Sequence, residues 1–78
     1  MGETPEIVEG MRVRIRGELA ERYLQLYRKF AQEGRGATVT HITTIHVRVE
    51  FDIKRKGAKP VVDFIQPSRF WQDYEVGA

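Results

Sequence analysis

Apolar and polar residues alternate strictly in the first regular segment of the chain. From Met11 to Arg16, the apolar residues Met, Val and Ile fall on one face and three arginines fall on the other. A two-residue period is typical of a strand that is buried on one side only. Glycines stand before and after the segment, so the sequence predicts a half-buried strand over residues 11–16.

The period lengthens over residues 18–33. Apolar residues recur there at steps of three and four positions, as on the buried face of an α-helix: Leu19, Ala20, Tyr23, Leu24, Tyr27, Phe30 and Ala31. Acidic residues stand at the start, and Arg28 and Lys29 stand near the end, as the helix dipole favours. Gly34 suits the left-handed position that follows a helix. The sequence predicts a helix of about four turns that packs on a sheet.

Alternation returns after the helix. A single strand over residues 38–54 would be about 55 Å long at about 3.3 Å per residue, too long for one small domain. We therefore predict two strands, Ala37–Ile42 and residues 45–53, separated by a bend near Thr43. Ile42 interrupts the alternation at the end of the first strand, which indicates a bulge or a bend. The second strand would bury the following side chains: Ile45, Val47, Val49, Phe51 and Ile53.

The rest of the chain predicts a turn, two short strands and a helical turn between them. Residues 54–60 carry four basic residues together with Gly and Pro, as in a turn. Residues 61–65 are apolar at nearly every position and predict a return strand. Residues 67–71 predict a single helical turn, and Tyr74–Val76 predicts a last short strand.

The order of these elements resembles the SH3-like small β-barrel, in particular its KOW-type and photosystem-accessory-subunit relatives. The resemblance rests on EGMRVRI at 9–15, GATVTHI at 36–42, VRVEFD at 47–52 and IQPSRF at 65–70. It implies a mainly β barrel of about five strands, here with a helix inserted where these families usually have a loop. Residues 10–76 would form this single domain behind a flexible lead-in over residues 1–9. An α+β sandwich of strand, helix, strand and strand is the alternative.

Composition argues against several classes of protein. The chain has no cysteine, so it contains no disulfide and no thiolate site, and we expect a cytoplasmic protein. No apolar run approaches the roughly 20 residues that span a bilayer, so no membrane association is expected. The chain has a single serine, Ser68, and two histidines, His41 and His46, without a carboxylate pair at ligand spacing. We expect no catalysis, no metal and no cofactor.

Positive charge is concentrated in the middle of the chain. All thirteen basic residues lie between Arg12 and Arg69, together with six of the eleven acidic residues. Such an excess favours contact with a polyanion. We interpret it as a surface for nucleic-acid phosphates, formed by one strand face, a second strand and the basic turn: Arg12, Arg14, Arg16, Arg48, Lys54, Arg55, Lys56 and Lys59. The alternative is a solvated strand face that protects a sheet edge and whose arginines pair with Glu50 and Asp52.

Aromatic residues support a second hypothesis. Tyrosine, phenylalanine and tryptophan on the predicted helix and near the C-terminus exceed what a small barrel easily buries: Tyr23, Tyr27, Phe70, Trp71 and Tyr74. Those that remain outside the core would suit an interface with a protein partner or a second copy of the chain. The core is the default position for Tyr23, Tyr27 and Phe70, and Trp71 is the best candidate for an exposed contact.

Overall fold

A computed structural model describes residues 6–17 and 25–77. The described elements, in chain order, are β1 (Arg12–Ile15), α1 (Gln25–Glu33), β2 (Ala37–Ile42), β3 (Val47–Phe51), β4 (Val62–Ile65), a 3₁₀ turn (Pro67–Arg69), α2 (Phe70–Asp73) and β5 (Tyr74–Val76). The last turns of the predicted helix therefore form as expected. Its first part, with Leu19, Ala20, Tyr23 and Leu24, lies outside the described residues.

The five strands form one antiparallel sheet in the order β4-β3-β2-β1-β5, curled into a half-barrel. Neighbours in the chain are neighbours in the sheet, except that β5 returns to pair with β1. This confirms the predicted mainly β class, with five strands and a helix between the first and the second. The curl turns one face of the sheet inward to form the core.

The bounds of β2 and β5 agree with the prediction at every residue, whereas β3 is shorter than predicted. Ile45 and Ile53 were assigned to its buried face, but they lie outside it and are 65% and 49% exposed. At its N-terminal end β3 is shortened by the turn between β2 and β3. Thr43 Oγ1 accepts hydrogen bonds from the backbone N–H groups of Ile45 and His46, at 3.3 and 2.9 Å. Those N–H groups therefore serve the turn instead of the strand ladder.

A bulge interrupts β2 as predicted, but it lies before His41 and not at Ile42. The pairing of β2 with β3 shifts register between Val39 and His41, so Thr40 has no residue opposite it on β3. A bulge of this kind bends a strand and increases its twist. The bulge therefore contributes to the curl of the sheet.

Buried side chains from both helices and from every described strand except β4 meet on the inner face of the sheet. The buried core consists of Val13, Ile15, Phe30, Ala31, Ala37, Val39, Val47, Val49, Phe51, Phe70 and Tyr74. Ile7, ahead of β1, also packs against it, and the N–H of Gly10 donates to the carbonyl of Val39 at 2.7 Å. The contacts of the domain therefore include part of the predicted lead-in.

Two of the aromatic residues predicted to form an interface belong to this core. Phe70 and Tyr74 are completely buried, and their rings stack in parallel with centroids 5.0 Å apart. An interface role is therefore excluded for both residues: α2 turns Phe70 inward, to the core position expected for it by default, and the alternation of β5 turns Tyr74 inward. Trp71 is partly buried and meets the Phe70 ring edge-on at 4.8 Å. Tyr27 is partly buried as well.

Helix α1 ends at the glycine that the sequence predicts. Gly34 has a φ of +65°, and the N–H groups of Gly34 and Arg35 donate to the carbonyls of Ala31 and Phe30, at 3.3 and 3.0 Å. This pair of bonds is the Schellman motif. It brings the Arg35 guanidinium over the ring of Phe30, 4.3 Å from its centroid.

A side-chain hydrogen bond joins the two edge strands of the sheet. The Tyr74 hydroxyl on β5 donates to Asp63 Oδ2 on β4 at 2.7 Å, and the Tyr27 hydroxyl donates to the carbonyl of Val62 at 3.2 Å. Burial raises the pKa of Asp63 and the charge of Asp73 adds to this, against the lowering effect of the bond from Tyr74. The bond between Tyr74 and Asp63 holds the two edge strands together, since β4 and β5 are not paired by backbone hydrogen bonds.

Candidate nucleic-acid interface

The first arginine of β1 is held by an acidic residue. Arg12 binds Asp52 through two parallel hydrogen bonds, Nη1 to Oδ1 at 2.8 Å and Nη2 to Oδ2 at 2.5 Å, and donates a third to Thr38 Oγ1 at 2.7 Å. The hydrogen bond from Arg12 lowers the pKa of Asp52. A Cβ on Gly36 would lie 2.5 Å from Arg12 Nη2, so the glycine makes room for this pair.

The other two arginines of β1 are paired as well. Arg14 Nε donates to Glu75 Oε2 at 2.6 Å, across the β1–β5 ladder. Arg16 Nε donates to the carbonyl of Trp71 at 3.0 Å, and its Nη1 lies 3.7 Å from Glu75 Oε1. The arginine stripe, Arg12, Arg14 and Arg16, is therefore largely neutralised within the chain.

Arg48 on β3 differs from the stripe. Its Nη1 donates to the hydroxyl of Thr40 at 2.7 Å, and among the described residues no carboxylate lies within ion-pair distance. Its neighbour across the β3–β4 ladder is Phe64. Arg48 thus keeps its positive charge uncompensated in the part of the chain that the structure describes.

The remaining predicted basic residues lie on the basic loop, residues 52–61, which joins β3 to β4. The N–H of Ala58 donates to the carbonyl of Arg55 at 3.1 Å, and Gly57 has a φ of +86° at the position where a type II turn requires a positive value. Lys54 Nζ binds Glu33 Oε2 at 2.7 Å. No ion pair within residues 6–17 and 25–77 involves the other three, which are all exposed: Arg55, Lys56 and Lys59.

A cleft of about 270 Å³ separates the basic loop from the end of α1. Five basic side chains line this basic cleft: Lys29, Arg35, Lys54, Arg55 and Lys59. Phe30, Phe51 and Val61 form its apolar floor, but the guanidinium of Arg35 lies over the Phe30 ring and both phenylalanines are buried. The cleft therefore offers cations to a ligand, with little aromatic surface.

Two carboxylates reduce the positive charge of the basic cleft. Glu33 lies between Lys54 and Arg35, at 2.7 Å from each. The hydrogen bond from Lys54 lowers the pKa of Glu33, and the charges of Arg35, Lys54 and Lys29 lower it further. Asp52 is shared with Arg12. Five cations against these two carboxylates leave the cleft positive, which suits it to bind phosphate.

Sequence reasoning missed two residues of the cleft, Lys29 and Arg35. Lys29 was read only as a charge near the helix C-terminus. Arg35 follows Gly34, and a helix ending at that glycine places the next residue against the last turn. The position of Arg35 could therefore have been predicted from the helix end at Gly34. The position of Lys29 depends on the basic loop folding toward the helix, which no local pattern indicates.

The histidines form no metal site in the described part of the chain, where no group of three His, Cys, Asp or Glu residues could hold an ion. His41 Nδ1 lies 3.7 Å from Glu9 Oε2, and the His46 ring meets Phe64 at 5.9 Å. Of the predicted interface residues, Tyr23 lies outside the described residues. Within them, no helix is long and apolar enough to cross a membrane.

Comparisons of the chain with protein-family models, with curated proteins and with solved structures find no match. The resemblance to SH3-like barrels therefore stays a prediction.

Proposed function

We propose that this protein is a non-catalytic module that binds the phosphates of nucleic acid through the basic loop and the basic cleft. The observation that carries the proposal is the cleft between α1 and the loop, lined by five basic side chains. Three exposed cations of the basic loop have no acidic partner among the described residues: Arg55, Lys56 and Lys59. Phosphate binding would give these charges a counterpart.

The proposed site excludes the arginine stripe, which the sequence had included. A phosphate that approached Arg12 or Arg14 would meet a guanidinium already bound to a carboxylate at 2.5–2.8 Å, so it would either share the cation with that carboxylate or displace it. Such a displacement exchanges one charged hydrogen bond for another, so the net gain in free energy is small. The basic loop requires no such exchange, except at Lys54.

Association through aromatic residues receives less support. Phe70 and Tyr74 are buried within the chain, so two of the five rings cannot contact a partner. The stronger case is for phosphate binding in a single SH3-like domain, and this is the function we infer. Such a protein would act in the cytoplasm as an accessory or regulatory factor.

The test is a titration of the chain with labelled mixed-sequence DNA and RNA oligonucleotides at several salt concentrations. Contact with about three phosphates predicts that log K falls with log salt with a slope of roughly −2 to −3. Polyglutamate serves as the control polyanion, because it offers carboxylates without phosphate geometry. The absence of binding to all oligonucleotides at low salt would overturn the proposal.

A further inference from the structure

Strand β4 inverts the usual arrangement of a half-buried strand. Asp63 lies half-buried and accepts the hydrogen bond from Tyr74, whereas Phe64 is 60% exposed on the outer face. Successive side chains of a strand point to opposite faces, so the Asp63–Tyr74 contact obliges Phe64 to point outward. Phe64 is not part of the core, so burial does not account for an aromatic ring at this position.

The surroundings of Phe64 favour an anionic, flat ligand. Arg48, its cross-strand neighbour, keeps its charge uncompensated among the described residues. The hydroxyl of Thr40 binds one guanidinium nitrogen and fixes the side chain on the outer face of the sheet. A guanidinium has five N–H donors, so others can serve a ligand. The His46 ring supports Phe64 from the side, at 70° between the planes.

We propose that Phe64 stacks on an unpaired nucleobase while Arg48 binds the adjoining phosphate, so that the ligand is single-stranded nucleic acid. This inference rests on the proposed function, because the basic cleft supplies the remaining phosphate contacts. The cleft cannot supply the stacking surface, since Arg35 covers the ring of Phe30 there. In a duplex the bases are stacked on one another and a ring on a protein surface does not reach their faces.

The two sites are connected along β3. Arg48 and Asp52, which borders the cleft, are four residues apart along the chain, about 13 Å at about 3.3 Å per residue. Glu50 lies between them on the outer face and disfavours a phosphate at that point. We therefore place phosphates at the two ends of this path and the base on Phe64.

The test compares labelled oligothymidylate with a blunt DNA duplex of equal length, by fluorescence anisotropy at low salt. Phe64→Ala should weaken binding of the single strand by about 5- to 150-fold, the range of one base stack, and leave duplex binding unchanged. Phe64→Tyr should restore single-strand binding, because the aromatic face is kept. Val76→Ala, an exposed apolar residue on the other edge strand, is the matched control and should change neither.

Each other outcome counts against the inference in a distinct way. If the wild type binds single strand and duplex equally and Phe64→Ala binds like the wild type, the stacking site is wrong while phosphate binding stands. If no oligonucleotide binds, both proposals fail together. If light scattering finds a wild-type oligomer that Phe64→Ala dissociates, the ring is a protein contact and the inference is overturned. Because Phe64 is exposed, its variants should keep the wild-type circular dichroism and melting curve.

Discussion

The arginine stripe of β1 and the basic loop are both positively charged, but the stripe is paired within the chain and most of the loop is not. Each stripe arginine is held by a carboxylate or carbonyl from a distant part of the chain. In the loop, Lys54 alone has an acidic partner among the described residues. The difference shows that the number of positive charges in a segment does not measure the charge available to a ligand.

Sheet order explains the contrast. In the β1–β5 ladder Arg14 stands directly opposite Glu75, so an acid 61 positions away in the chain becomes its nearest neighbour. Arg12 reaches Asp52 where β3 ends, across β2. The basic loop leaves the sheet between β3 and β4 and has no strand opposite to supply carboxylates. The return of β5 and the end of β3 supply the acids that pair the stripe, and Arg55, Lys56 and Lys59 on the loop have no acid at ion-pair distance among the described residues.

A large effect should come from releasing the stripe. The double variant Asp52→Asn and Glu75→Gln removes both acidic partners but keeps polar side chains of similar shape. Freed arginines should add about two phosphate contacts and steepen the salt slope of oligonucleotide binding by roughly 1.5 to 2, raising affinity several tens of fold at low salt. Salt titrations of variant and wild type check this. Unchanged affinity would mean that the stripe faces away from the bound ligand.

A smaller effect is expected from Gly36→Ala. The added Cβ would lie 2.5 Å from Arg12 Nη2 and 3.0 Å from Asp52 Oδ2, so the ion pair must shift. We expect a salt slope steeper by about 0.7 to 0.9, one phosphate contact, and a loss of unfolding free energy of up to about 1 kcal/mol from the exposed pair. Oligonucleotide titration and urea unfolding measure the two quantities. Gly17→Ala, where a Cβ meets nothing within 4 Å, is the control.

The pH dependence of stability should separate a paired acid from a buried one. Arg12 lowers the pKa of Asp52 from 3.8, so its stabilisation is present above that value and is lost as the pH falls below it. Burial raises the pKa of Asp63 from 3.8, so the folded state binds its proton more tightly and loses stability as the pH rises through the raised pKa. The two carboxylates therefore act in opposite directions.

Asp63→Asn tests the second of these effects. The amide oxygen still accepts the hydrogen bond from Tyr74, but no charge is buried at neutral pH. The variant should melt at a higher temperature than the wild type at pH 7, and the difference should shrink toward pH 4. A variant that is less stable than the wild type at pH 7 would show that the ionised carboxylate itself stabilises the sheet ends.

Local patterns predicted most of the fold. Two-residue alternation located β2 to the residue, β5 was predicted with its observed bounds, and Gly34 marked the end of α1. Alternation failed at Ile45 and Ile53, because turn hydrogen bonds and strand ends depend on partners outside the pattern. Phe64 was counted within an apolar return strand, and only the contact between Asp63 and Tyr74 reveals that it points outward.

The site was predicted in part. The basic loop was identified from its composition, since a loop rich in lysine and arginine stays exposed in most folds. The neutralisation of the stripe could not be predicted in full, because Glu75 meets Arg14 only through the return of β5 to β1. Asp52 had been named as a partner, whereas Glu50 forms no ion pair among the described residues.

The most direct measurement compares the salt slope of oligonucleotide binding for two variants. One replaces Arg55, Lys56 and Lys59 by glutamine, and the other replaces Arg12, Arg14 and Arg16 by glutamine, so the same formal charge is removed from each. We predict that the loop variant loses about 2 from the slope and roughly 100-fold in affinity at low salt, whereas the stripe variant loses far less, through the unpaired Asp52 at the edge of the cleft. Equal losses in both variants, or a larger loss in the stripe variant, would contradict this prediction.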